Sequence, residues 1–142
     1  MVAVYPLLIM ALRDYAELDE DDFYGQGFGK EGVVSIWIGL SKPGSVDPKA
    51  DILQDLCGVG YYSLDQQEVE VLDKLSTVEE LLARISYSGS FVKAVSKAFG
   101  NVRGHWLVAQ YDFKYDPKKV KRKIAKDPRF VGVFKYTVSD DE

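Results

Sequence analysis

The chain has 142 residues, of which 46% are hydrophobic and 13% aromatic. This length supports one buried core and is too short for two ordinary domains, so a single domain over residues 1–142 is predicted. Within it, residues 1–31 are expected to form an extension and residues 32–142 the core. The single cysteine, Cys57, excludes an internal disulfide and a multi-cysteine metal site, and is expected to fill the core.

The formal net charge of -4 is unevenly distributed along the chain. Residues 1–92 hold 6 basic and 16 acidic side chains, whereas residues 93–142 hold 12 basic and 6 acidic ones. This asymmetry predicts an electrically two-sided molecule, a property that affects association rates and partner choice more than fold.

The N-terminal residues lack the early basic residues and small-residue cleavage site of a secretory signal. The apolar run at residues 32–40 is shorter than the about 20 residues that a membrane-spanning helix needs. A cytoplasmic protein with no membrane partner is therefore expected.

The first predicted element is a helix over residues 6–18. Pro6 suits a first helical turn, and Leu8, Leu12 and Tyr15 recur at helical spacing. The helix is followed by a loop in which carboxylates precede two aromatic residues and a glycine-rich segment at 25–29. The carboxylates and aromatics of this loop are Asp19, Glu20, Asp21, Asp22, Phe23 and Tyr24.

Residues 32–40 form an almost unbroken apolar run between two glycine-containing segments, the pattern of a fully buried strand. We expect this strand to be central in the sheet, with helices over both faces. Alternation predicts Val34, Ile36 and Ile38 on one side and Val33, Ser35 and Trp37 on the other.

After this strand, Asp47 and Pro48 predict the start of a short helix that Gly58 would end. Residues 60–70 mix aromatics with carboxylates and amides without a clean period, so no element is predicted there. Thr77 and Glu80 have the spacing of a capping box at the start of another helix.

The remaining chain predicts a helix over residues 88–98, a strand over 105–115, a basic helix and a last strand over 130–138. The basic helix would begin at Asp116 and Pro117 and turn Val120 and Ile124 inward. Together these elements predict an α+β fold in which a small mixed or antiparallel sheet of about three strands is covered by four or five helices.

No catalytic motif is complete. Residues 27–34 match the glycine pattern of a kinase loop, but the other kinase motifs are absent and the chain is too short. His105 is the only histidine, which excludes sites that need two imidazoles. A carboxylate pair such as Asp65 with Glu68 leaves open a small hydrolase of the glycosidase type.

The basic run at residues 118–123 leaves open a nucleic-acid-associated regulator. Val120 and Ile124 instead favour an amphipathic helix whose lysines face solvent, and no aromatic residues are interleaved as stacking platforms. Binding of nucleic acid is therefore not the leading expectation.

Several stretches, taken in order, resemble an immunity-protein family of bacterial polymorphic toxin systems that is marked by an S-I-W-[IV]-G strand. They cover most of the chain from residue 33 onward. The matching stretches are residues 35–39, 51–59 with Tyr61 and Tyr62, the acidic positions Asp65 and Glu68, residues 111–116 and residues 130–136. Residues 1–31 are not part of the resemblance, and Lys135 departs from the more apolar or proline-containing pattern.

The resemblance implies a non-catalytic protein, without cofactor or metal, that binds a cognate toxin and blocks its active site or substrate access. Its oligomeric state is left open. We expect the toxin-facing surface to combine carboxylates that steer encounter with aromatic anchors that slow dissociation. The candidate partner-binding residues are Asp19, Glu20, Asp21, Asp22, Phe23, Tyr24, Asp65 and Glu68.

Overall fold

The computed structural model describes residues 26–42, 44 and 49–138. Their framework is one antiparallel sheet of four strands in the order β2-β3-β1-β4. The strands are β1 (Gly29–Gly39), β2 (Gln67–Thr77), β3 (Arg103–Phe113) and β4 (Arg129–Lys135). The α-helices are α1 (Val78–Leu82) and α2 (Val92–Phe99).

The predicted fold class is wrong, because the described part of the chain is mainly sheet. The sheet has four strands instead of about three, and α1 and α2 contain only 5 and 8 residues. Other helical segments are single turns, namely a π-type turn at Ile52–Leu56 and 3-10 turns at Leu64–Gln66, Ser88–Ser90 and Pro117–Lys119.

Strand β1 confirms the prediction for the apolar run. It is an interior strand, paired with β3 on one side and β4 on the other. All six residues assigned to its two faces are buried, including Ser35 and Trp37. Burial on both faces explains why nearly every position in this strand is apolar.

The first face of the sheet is covered by α1 and α2. Val34, Ile36 and Ile38 of β1 pack there with Leu81 of α1 and Val95 of α2. The capping box that starts α1 is confirmed, since the Thr77 hydroxyl accepts from Glu80 N and the Glu80 carboxylate accepts from Thr77 N. Both helices of the described chain are used on this face.

The second face is covered by irregular segments, which is where the helical prediction fails. Trp37 and Val108 pack there against Leu53 and Cys57 of one segment and Tyr115 of another. The core role expected of Cys57 is confirmed, because its side chain is fully buried. The irregular segments bond to one another through their backbones, as where Ala125 N donates to Leu56 O at 2.8 Å.

The predicted basic helix is also wrong. Only the single turn Pro117–Lys119 forms, and Val120 returns to an extended conformation. Five cations between residues 118 and 123 would repel one another on a helix, whereas an extended path still lets Val120 pack on the second face. The regulator alternative therefore loses the helix on which it was based.

Other predicted elements have mixed outcomes. The strand over residues 105–115 and the last strand form as β3 and β4, and the helix over residues 88–98 forms as α2 after a 3-10 turn. The turn at Ile52–Leu56 is capped by Asp51, whose carboxylate accepts from Gln54 N at 3.0 Å. The helix over residues 6–18 and the cap at Asp47 lie outside the described residues.

Candidate protein-binding surface

One acidic stretch of the described chain runs through the loop before β2 and into β2 itself. Residues 50–73 contain six carboxylates and no lysine or arginine. Within the same stretch, four large apolar side chains are exposed: Tyr61 by 70%, Leu64 by 68%, Val69 by 43% and Val71 by 50%. We refer to these four residues with Asp65 as the β2 surface.

A cleft of about 360 Å³ lies beside Tyr61. It is lined by the end of β3, by residues before and at the start of β1, and by the loop before β2. The lining residues are Gln26, Gly27, Phe28, Gly29, Tyr61, Tyr62, Ser63, Gln66, Gln110, Tyr111, Asp112 and Phe113.

The loop that carries Tyr61 is fixed on both sides by hydrogen bonds. The Gln26 side chain donates to Gly58 O at 3.0 Å and accepts from Gly60 N at 2.9 Å. The Gln54 side chain donates to Gly60 O at 3.1 Å, so both backbone groups of Gly60 are bonded. Two buried or half-buried amides therefore hold the residue just before Tyr61.

The residues that follow Tyr61 are held in the same way. The Tyr62 hydroxyl donates to Asp51 Oδ1 at 2.7 Å, and burial together with this bond raises the pKa of Tyr62. The buried Gln110 of β3 donates to Ser63 O at 2.8 Å. Tyr61 is thus an exposed aromatic side chain on a preorganised loop, which is the arrangement that lowers the entropy cost of binding.

Of the partner-binding residues predicted from the sequence, the structure describes Asp65 and Glu68, and these two lie in different surroundings. Asp65 is exposed in the turn before β2. Glu68 lies on the helix-covered side, where its carboxylate accepts from Ser86 N at 2.9 Å. The acidic loop of residues 19–24 lies outside the described residues, so it is not brought together with Asp65 and Glu68 here.

The geometry gives little support to the hydrolase alternative. Neither Asp65 nor Glu68 lines the cleft, and Asp112 is the only acidic residue among its described lining residues. Asp112 Oδ1 already accepts from Gly32 N at 2.9 Å and from the Tyr136 hydroxyl at 2.7 Å. A glycosidase-type mechanism needs two carboxyl groups around one substrate.

Neither the only cysteine nor the only histidine of the sequence is presented as a free reactive group. Burial raises the pKa of the Cys57 thiol to about 12, with a smaller contribution from Asp51, so the reactive thiolate is disfavoured. His105 Nδ1 lies 3.3 Å from Leu72 O, consistent with the structural role expected from its position.

Two negative findings concern the described ranges alone. No group of three or more His, Cys, Asp or Glu residues there is placed to hold a metal ion. No helix in those ranges has the length and apolarity needed to span a membrane.

Leu64, Val69 and Val71 were not selected from the sequence, because no element was predicted between residue 60 and the capping box at Thr77. The signal that could have found them is the alternation of Glu68, Val69, Glu70 and Val71, which is typical of a half-exposed strand. Exposure of the valines themselves depends on β2 being at the edge of the sheet, which only the strand order reveals.

Comparison with known proteins finds no matching family model, no matching curated protein and no matching solved structure. The resemblance to the immunity-protein family therefore stays a prediction.

Proposed function

We propose that this protein is a non-catalytic immunity protein that binds a cognate bacterial toxin domain and blocks its active site or substrate access. The observation that carries the proposal is Tyr61, 70% exposed on a loop whose neighbours are fixed by hydrogen bonds. Tyrosines presented in this way are frequent hot spots of protein interfaces.

The charge around Tyr61 indicates the kind of partner. The four carboxylates of residues 65–73, which include the exposed Asp65, favour a partner with a basic surface. Such a surface is common on enzymes that bind anionic substrates, so an acidic inhibitor would occupy the place of the substrate. Long-range attraction of this kind raises the association rate and makes it fall with added salt.

The test is a binding measurement with the toxin domain encoded by the neighbouring reading frame. We expect Tyr61→Ala to raise the dissociation rate at least about tenfold, with little effect on association. Leu40→Ala is the matched control, because Leu40 is 53% exposed at the end of β1 and outside the β2 surface.

The same assay tests the acidic loop predicted from the sequence. Neutralising Asp19 to Asp22 should lower the association rate and its salt dependence, and Phe23→Ala or Tyr24→Ala should raise the dissociation rate. If the wild-type protein does not bind the toxin domain, the immunity function is wrong. If it binds and Tyr61→Ala changes nothing, the toxin is held by another surface.

A further inference from the structure

Strand β2 has an open side. It pairs with β3 along one side, and within residues 26–42 and 49–138 no strand pairs with the other. Its pairing with β3 is continuous from Gln67 to Val71 and is then interrupted until Ser76. The regular part of the open edge is therefore residues 67–71.

The backbone bonds show which residues face this open side. Val71 N donates to the carboxylate of its neighbour Glu70 at 3.2 Å, and Leu72 O lies 3.3 Å from the imidazole of His105 on β3. Backbone groups of successive residues in a strand point to opposite sides. Gln67, Val69 and Val71 therefore direct their N–H and C=O groups away from β3.

Along this edge the apolar side chains lie on one face of β2 and the acidic side chains on the other. Val69 and Val71 lie opposite Val108 and Trp106, yet each is about half exposed. The carboxylates of Glu68 and Glu70 lie on the other face of the strand. Edges of monomeric proteins are usually covered or made unsuitable for pairing. Here no described strand pairs with the backbone of Gln67, Val69 or Val71, and the two valines are exposed, although Val71 N donates to the neighbouring Glu70 carboxylate.

We infer that the partner adds a strand to the 67–71 edge, using an extended segment in which apolar residues alternate with Lys or Arg. The apolar side chains would cover Val69 and Val71 on one face, and the cations would lie beside Glu68 and Glu70 on the other. The inference rests on the proposed function, since it describes how the toxin would be held.

Two features of the structure favour this occupant over a second copy of the chain. Antiparallel pairing of two β2 edges would bring Glu68 and Glu70 against their own counterparts, and like charges on paired strands are destabilising. The cleft beside Tyr61 is lined by Gln66, immediately before the open edge, so it can receive a larger side chain at one end of the added segment.

The probe for the test is a capped peptide of about seven alternating Lys and Val residues, titrated into isotope-labelled protein. Binding should shift the amide resonances of residues 67–71. In one peptide the amide nitrogens of the valines are methylated, and in another those of the lysines. Only every second amide of an added strand faces β2, so one peptide should lose at least about tenfold in affinity and the other should keep it.

Loss with methylated valines would indicate antiparallel addition and loss with methylated lysines parallel addition, so either result supports the inference. No binding by the unmodified peptide, or an equal effect of the two methylated peptides, would overturn it. Glu70→Lys should weaken the peptide severalfold, whereas Glu79→Lys on α1 is the matched control and should not.

Repeating the measurement with the toxin domain separates this inference from the proposed function. If the toxin domain binds without protecting the amides of residues 67–71 from hydrogen exchange, the function stands and strand addition is wrong. If the peptides behave as expected but the toxin domain does not bind, the open edge is a strand-binding site and the immunity function is wrong.

Discussion

Glu68 and Tyr111, on the neighbouring strands β2 and β3, bind the two backbone groups of the same residue. Glu68 Oε1 accepts from Ser86 N at 2.9 Å, and the Tyr111 hydroxyl donates to Ser86 O. Burial, with a smaller contribution from Glu68, raises the pKa of Tyr111, so the hydroxyl keeps the proton that it donates. The pair attaches the segment between α1 and α2 to the sheet.

Glu68→Ala should lower the free energy of unfolding by about 1 kcal/mol, because Ser86 N loses a charged acceptor in a partly solvated place. Asp73→Ala, at an exposed position of the same strand, is the matched control and should stay within about 0.5 kcal/mol of the wild type. Urea unfolding measures both. Equal effects would show that the bond to Ser86 contributes nothing beyond an exposed carboxylate.

Trp37→Ala should lower the free energy of unfolding by about 3–5 kcal/mol, since it removes the largest fully buried side chain of the second-face core. Trp37 is 1% exposed, and its ring centroid lies 5.0 Å from that of Tyr115 and 5.3 Å from that of Phe130. Leu40→Ala, at an exposed position of the same chain segment, should cost no more than about 0.5 kcal/mol. A cost below 1 kcal/mol for Trp37→Ala would contradict the packing described here.

Gly58→Ala should be more destabilising than Gly27→Ala, although both residues have positive φ, +73° and +74°. A Cβ at Gly27 meets nothing within 4 Å, so that variant should cost about 1 kcal/mol for backbone conformation alone. A Cβ at Gly58 would lie 2.4 Å from Val120 Cγ1, which should add about 1–3 kcal/mol of overpacking.

The contribution of Val120 can be isolated by a double-mutant cycle. Val120→Ala should cost less in the Gly58→Ala background than in the wild type, because it removes the atom that clashes. Chemical unfolding of the four proteins gives the coupling. If the two destabilisations simply add, the segment of residues 118–123 moves aside freely and is not fixed on the second face.

Ionisation of Cys57 should contribute to a fall in the free energy of unfolding at alkaline pH. The thiol pKa is 9.0 in the reference state and about 12 in the folded protein, so the contribution is fully present below pH 9 and is lost as the pH rises towards 12. In that window the unfolded chain releases a proton that the folded chain keeps, giving a slope of about 1.4 kcal/mol per pH unit.

Cys57→Ala should make the free energy of unfolding less dependent on pH between about pH 9 and 10. The small cavity that it leaves lowers stability at every pH and does not change this slope. Urea unfolding at several pH values measures the slope for the variant and the wild type. An identical slope in the two proteins would mean that Cys57 is accessible enough to ionise in the folded state.

The local sequence determined those elements that a single short pattern of residues is enough to specify. The apolar run of β1 specified a strand buried on both faces, and the spacing of Thr77 and Glu80 specified the start of α1, because the cap needs only those two residues. The excess of 16 acidic over 6 basic side chains in residues 1–92 likewise identified the acidic part of the chain.

Tertiary structure decided what covers the sheet and what remains open. Val120 has the spacing of a helical stripe, but it packs on the second face from an extended segment, because burial there outweighs local propensity. Val69 and Val71 are exposed because their strand is at the edge, a position set by long-range pairing with β3. Tyr61 becomes a candidate anchor only because Gln26 and Gln110, distant in sequence, fix its loop.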